Sequence, residues 1–173
     1  MMHFLGEFEG RLDAKARIAL PVALRKQLPA EAGERFVVNR GFEQHLTLYP
    51  FTEWQRITAE LNRLNLYVKK NRDFVRYFHR GATELELDGS GRLLLPRRLL
   101  DYAGIREAVI LLAYANRIEC WEPTLYENLL SDEPADFARL AEEIMGGAGQ
   151  PELPEERFPG FRDFSSAPPD SRH

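Results

Sequence analysis

Two aspartates in this chain each have an arginine four residues downstream, Asp13 with Arg17 and Asp88 with Arg92. An aspartate at that offset can accept backbone N–H bonds at the mouth of a tight turn. The arginine can pair with the same carboxylate and still hold donors spare for a phosphate or a guanine edge. Asp13 and Asp88 are therefore read as turn-structuring residues. Arg11, Lys15 and Arg17 around the first copy, with Arg92, Arg97 and Arg98 around the second, form the candidate basic surface for such contacts. The two aspartates could also make a carboxylate pair for acid–base work. Against that reading, an arginine beside each keeps it ionised rather than tuned for proton transfer. The sequence offers no Ser/His/Asp constellation and no glycine-rich phosphate loop, and His3, His45, His79 and His173 lack metal-ligand spacing. Cys120 is the only cysteine, which excludes an intrachain disulfide and a multi-cysteine zinc site, and its apolar neighbours suggest a packed thiol. The expectation is a chain that is not an enzyme and takes no cofactor or metal.

The elements that position these residues come as a repeat. Gly6–Arg25 (GEFEGRLDAKARIALPVALR) lies over Gly81–Leu100 (GATELELDGSGRLLLPRRLL) at a spacing of 75, with Gly6, Asp13, Arg17, Leu20, Pro21 and Leu24 matching their counterparts. The register then slips to 72, where HLTLYPFTEW (His45–Trp54) lies over RIECWEPTLY (Arg117–Tyr126). A loop in the middle of the repeat can absorb such an indel. Each copy reads as a half-buried strand of alternating side chains, a polar turn, a short apolar strand, a helix opening at Leu-Pro, a hairpin and a second helix. In the first copy the helix from Pro21 is expected to run to Leu28. The stretch TEWQRITAELNRL carries Trp54, Ile57, Leu61 and Leu64 at helical spacing, with Thr52 as its cap. Asn71–Arg80 reads as a connecting helix with Phe74, Val75 and Phe78 toward the core. Its basic side chains, together with Lys69 and Lys70, read as a solvated face. Phe8, Phe36, Tyr49, Trp54, Trp121 and Tyr126 fall at core or subunit-interface positions. The expected division is a first repeat over 3–64, a helical connector over 65–80, a second repeat over 81–130 and a tail over 131–173.

The net charge of −4 taken whole disfavours nucleic acid, but it is unevenly spread. Residues 1–130 hold 19 Lys+Arg against 17 Asp+Glu, whereas residues 131–173 hold 4 against 10. A near-neutral body can bind DNA if its arginines share one face, and repetition of that face in an oligomer multiplies a modest patch. The tail is acidic and proline-rich. DFARLAEEIM reads there as a last helix, while GGAGQPELPEER and FSSAPPDSRH read as disordered. No apolar run approaches the roughly 20 residues of a membrane span, and Met1–Gly10 does not resemble a signal peptide, so a cytoplasmic protein without membrane contact is expected.

Two copies of strand, D-x-x-x-R turn, short strand ending in Leu-Pro, helix and hairpin resemble the MraZ family. The stretches that carry the resemblance are GEFEGRLDAKARIALP, YFHRGATELELDGSGRLLLP and NRIECW, and it runs from about Phe4 to Leu130. It implies a mainly β fold with helices (α+β), made of two AbrB-like swapped-hairpin β-barrel repeats related by a pseudo-twofold. It implies a DNA-binding transcriptional repressor of the cell-division and cell-wall gene cluster, acting at the nucleoid as a ring-like homo-oligomer on repeated short promoter boxes in double-stranded DNA. By the same resemblance Arg17 matches an arginine linked to DNA binding. Ala16 and Ala113 stand where the family commonly has glycine, a difference that matters wherever the backbone needs positive φ. A non-catalytic protein-interaction oligomer is the alternative function, with an enzyme using Asp13 and Asp88 behind it.

Overall fold

In the computed structural model, which describes residues 3–131 and 134–146, alternation of side chains does produce strands. The first, β1 (Phe4–Arg11), buries Phe4 and exposes its glutamates. After the Asp13–Arg17 turn come β2 (Arg17–Ala19) and α1 (Val22–Arg25). Pro21 caps α1, as a residue with fixed φ and no N–H suits a helix start. The helix is shorter than its composition suggests, four residues ending at Arg25, followed by turns to Pro29 and a single 3₁₀ turn at Ala30–Ala32. The hairpin β3 (Arg35–Arg40) and β4 (Leu46–Pro50) leads into α2 (Phe51–Leu61). Here Pro50 takes the cap position and Thr52 lies inside the helix, a correction to the expected cap. The connecting helix α3 (Lys69–His79) buries Phe78, but Phe74 is exposed and Val75 half-buried, so only one of its three expected core residues is fully covered.

The second half repeats the order: β5 (Thr83–Glu86), β6 (Arg92–Leu94), α4 (Arg97–Ala103), the hairpin β7 (Ala108–Ala115) and β8 (Arg117–Trp121), and α5 (Pro123–Leu129). Glu122 caps α5 through a bond accepted from the Leu125 N–H at 2.9 Å. A separate unit contains α6 (Pro134–Met145), a helix at the place where DFARLAEEIM was expected to be helical. Phe137, Leu140 and Ile144 recur along it at helical spacing. The two segments read as disordered lie outside the described residues apart from Gly146.

Six strands form one antiparallel sheet in the order β1-β7-β8-β4-β3-β5, and β2 pairs with β6 in a second, two-stranded sheet. Exchanging the two halves of the chain reverses the six-strand order onto itself, so the sheet has a pseudo-twofold. The axis runs between β4 and β8 at the pair Thr47↔Glu119, and between β2 and β6 at Ile18↔Leu93. Each half lends its first strand to the other's hairpin: β1 pairs with β7 over eight residues, and β5 with β3 over four. The α+β architecture with swapped hairpins therefore stands, but the sheet is open, with β1 and β5 at its edges, and is not a pair of closed barrels. One apolar core serves both halves. It gathers Ile18, Leu20 and Leu24 with their counterparts Leu93, Leu95 and Leu99, around Phe36, Leu46, Leu48, Val109, Leu111 and Ile118. Neither half could bury that surface alone.

Candidate functional site

Both D-x-x-x-R motifs are tight turns with the same wiring. In the first, the Asp13 Oδ1 accepts the N–H groups of Lys15 (2.9 Å) and Arg17 (3.0 Å), while its Oδ2 accepts the Arg17 Nε at 2.7 Å. In the second, Asp88 Oδ1 accepts Ser90 (2.9 Å) and Arg92 (3.0 Å), and Oδ2 accepts the Arg92 Nε at 2.9 Å. Backbone bonds close each turn, Asp13 N–H to the Arg17 carbonyl and Asp88 N–H to the Arg92 carbonyl, both 2.9 Å. The backbone N–H of Arg17, foremost, holds the Asp13 carboxyl below its ordinary range against some desolvation, and that of Arg92 does the same for Asp88. Both aspartates are thus turn-builders kept ionised.

The wiring requires left-handed backbone just before each arginine. Gly91 meets this at φ 73° and Ala16 at φ 62°, so the alanine holds the turn geometry with strain that glycine avoids. Ala113 carries no such strain. It lies buried inside β7 opposite Gly6, and the positive φ of that hairpin falls two residues later, on Ala115 at 49°.

Because β2 and β6 pair across the pseudo-twofold, the two turns sit side by side. Leu20 N–H bonds the Gly91 carbonyl and Leu95 N–H the Ala16 carbonyl, at 2.9 and 3.0 Å. Arg92 Nη1 lies 3.7 Å from Asp13 Oδ2, linking one turn to the other. Asp13, Arg17, Asp88 and Arg92 are therefore brought into one cluster of balanced charge. Each arginine spends its Nε on its own aspartate, and among the described residues neither Nη of Arg17 has a hydrogen-bond partner. Lys15 is exposed at the tip of the first turn. Arg97 and Arg98 are exposed on the first turn of α4, with no ion pair among the described residues. Arg11 is placed differently, at the end of β1 and paired with Glu107 at 3.3 Å.

Sequence reasoning missed Arg25. Its guanidinium covers Gly91 so closely that a Cβ there would meet Arg25 Nη1 at 2.6 Å, whereas its counterpart Leu100 is buried in the core. Only the tertiary arrangement brings α1 of the first half over the turn of the second. It also missed a buried polar group at the sheet's pseudo-twofold. There His45, 2% exposed, stacks on Trp121 at 4.3 Å and faces Glu119 at 3.3 Å and Thr47 at 3.4 Å. Glu119 also accepts from Trp121 Nε1 (3.0 Å) and Tyr114 Oη (2.9 Å). Burial pushes the Glu119 carboxyl up, but the donors, His45 first, outweigh it and leave its pKa lowered. The satisfied carboxylate, flanked by aromatic rings, reads as a device that fixes strand register.

A concavity on α3 is bounded by Arg76, Tyr77, His79 and Arg80, and a smaller one lies beside β3; no turn residue lines either. Side chains on paired turns outside those concavities can meet a groove or a phosphate backbone more readily than they can enclose a small molecule.

The family model "MraZ protein, putative antitoxin-like" matches this chain twice, over residues 3–77 and 78–146. A protein of Flavobacterium psychrophilum named "Transcriptional regulator MraZ" is 41% identical over 153 residues, covering 88% of this chain and 98% of the relative. A protein of the same name from Christiangramia forsetii is 42% identical over 84% of this chain and 95% of its own. Another, from Natranaerobius thermophilus, is 37% identical over 82% and 96%.

Proposed function

The chain belongs to the MraZ family across both repeats, and on that footing we propose that it is a transcriptional regulator which binds double-stranded DNA through its paired D-x-x-x-R turns. The observation that carries this reading is the pair of turns held side by side, with the Arg17 Nη groups unspent among the described residues. Lys15 and Arg17 on the first turn and Arg97 and Arg98 on α4 supply the cations, with Arg92 between the turns and Arg11, already paired with Glu107, contributing least. A single face of this kind holds few charges, so a homo-oligomer that repeats it, ring-like, along several promoter boxes is part of the proposal. The genes it would repress are the cell-division and cell-wall cluster that includes its own, and the place of action is the cytoplasm, at the nucleoid.

The test is a titration of DNA from immediately upstream of its gene against a shuffled duplex of equal length, at several salt concentrations, with light-scattering mass measured on the same preparation. Tighter binding of the upstream DNA, falling steeply with salt, is expected from an assembly larger than a dimer. Equal affinity for both duplexes would sink the sequence-specific reading, and a monomer at micromolar concentration would sink the ring. Binding to neither duplex would leave the protein-interaction oligomer as the better account.

A further inference from the structure

The two turns are wired alike, with matching bonds equal within 0.2 Å, yet the pseudo-symmetry breaks around them. Of the two turn arginines only one reaches the opposite turn's aspartate: Arg92 lies 3.7 Å from Asp13 Oδ2, and no ion pair within 4.0 Å joins Arg17 to Asp88. Asp13 Oδ2 consequently serves two guanidinia, Arg17 at 2.7 Å and Arg92 at 3.7 Å. The tips differ too, with the cation Lys15 on the first turn where the second has Ser90. Ala16 and Gly91 are both buried, but only the second turn is roofed by a guanidinium, that of Arg25 against Gly91.

We propose that the turns divide the work: the Asp13–Arg17 turn makes the contacts with DNA, and Arg92 is a positioning residue that sets that turn by holding Asp13 from across the pseudo-twofold. This rests on the DNA-binding reading of the same surface. The physical reason is a competition for one carboxylate oxygen. With Arg92 in place, part of the Asp13 charge is engaged from the far side, and Arg17 keeps its Nε bond while its Nη groups stay without a hydrogen-bond partner among the described residues. Without Arg92, Asp13 turns its full charge on Arg17, so the guanidinium still reaches its phosphate but holds it more weakly, with the number of phosphates neutralised unchanged. The second turn, with an uncharged tip and a roof, serves as the anchor.

The experiment compares wild type, Arg17→Ala, Arg92→Ala, Asp13→Asn and the Asp13→Asn/Arg92→Ala double variant, with upstream duplex DNA titrated over a range of salt. Arg17→Ala should flatten the plot of log affinity against log salt by about 0.9 for each phosphate it no longer neutralises. Arg92→Ala should weaken binding at least about fivefold while its salt slope stays parallel to wild type, a signature that removing a group bound directly to phosphate would not give. In the double variant the two effects should fall short of additive, because both act through Asp13. A slope reduced as much as in Arg17→Ala would make Arg92 a direct DNA ligand and overturn the proposal, as would wild-type affinity or full additivity. If Arg92→Ala does not assemble, Arg92→Gln, which keeps the stem, carries the same comparison. Wild type that fails to bind any DNA would bring down the DNA-binding reading itself; wild type that binds, with additive variants, would remove only this division of labour.

Discussion

Replacing Gly91 by alanine sets the strain of one turn against its twin. At φ 73° an L side chain costs about 1–2 kcal/mol. The new Cβ would stand 2.6 Å from Arg25 Nη1 and 2.8 Å from its Cζ, a clash with the end of a flexible side chain that Arg25 can relieve by swinging away. Alanine also narrows the unfolded ensemble, which returns about 0.4–1 kcal/mol. The net expectation is a loss of about 1 kcal/mol, seen as a drop of roughly 3–6 °C in Tm. Ala16→Gly is the mirror experiment at φ 62°. Relief of about 1–2 kcal/mol is offset by about 0.8 kcal/mol for the buried methyl and by the entropy of glycine, so stability should stay within about 0.5 kcal/mol of wild type. Paired thermal and urea unfolding of both variants, with oligomeric mass checked, measures this. A Gly91→Ala protein as stable as wild type, or an Ala16→Gly protein weakened by more than about 1.5 kcal/mol, would refute the claim that both turns need the same left-handed residue.

Three further outcomes are expected. Asp13 and Asp88 have lowered folded pKa values, so the stability they add is present above their unfolded pKa of about 4 and is lost as pH falls through the folded value; acid-unfolding curves of Asp88→Asn should accordingly be shallower than wild type below about pH 4, and coincident curves would contradict this. Burial pushes the Cys120 thiol up to about 12, so it should resist a thiol-reactive dye in the native protein and react when denatured; prompt native labelling would count against the packed core between β4 and β8. His45→Ala should cost about 2–4 kcal/mol in denaturant unfolding, because it removes a buried ring from Trp121 and a donor from the partly buried Glu119, and a change under about 1 kcal/mol would exclude a structural role for that cluster.

The local code and the repeat were legible in the residues themselves. D-x-x-x-R at a spacing of 75 placed two turns, Leu-Pro placed two helix starts, alternation placed the opening strand and apolar runs the hairpin strands, since each depends on contacts within a few residues. Helix length was less legible: α1 stops at Arg25 although good helix formers continue, because a few residues of propensity cannot outweigh the packing that turns the chain toward β3. The repeat did not say how the halves share a sheet. Lending β1 to β7 and β5 to β3 pairs residues about a hundred and about fifty positions apart, and only burial of the common core selects that pairing over two separate sheets. The same holds at the site. Sequence could name Asp13, Arg17, Asp88 and Arg92, but their meeting, the reach of Arg92 to Asp13 and the lid of Arg25 over Gly91 arise because β2 and β6 cross the pseudo-twofold. Side-chain chemistry is written residue by residue, whereas a shared charge is a distance, and distances across the axis exist only once the core has closed.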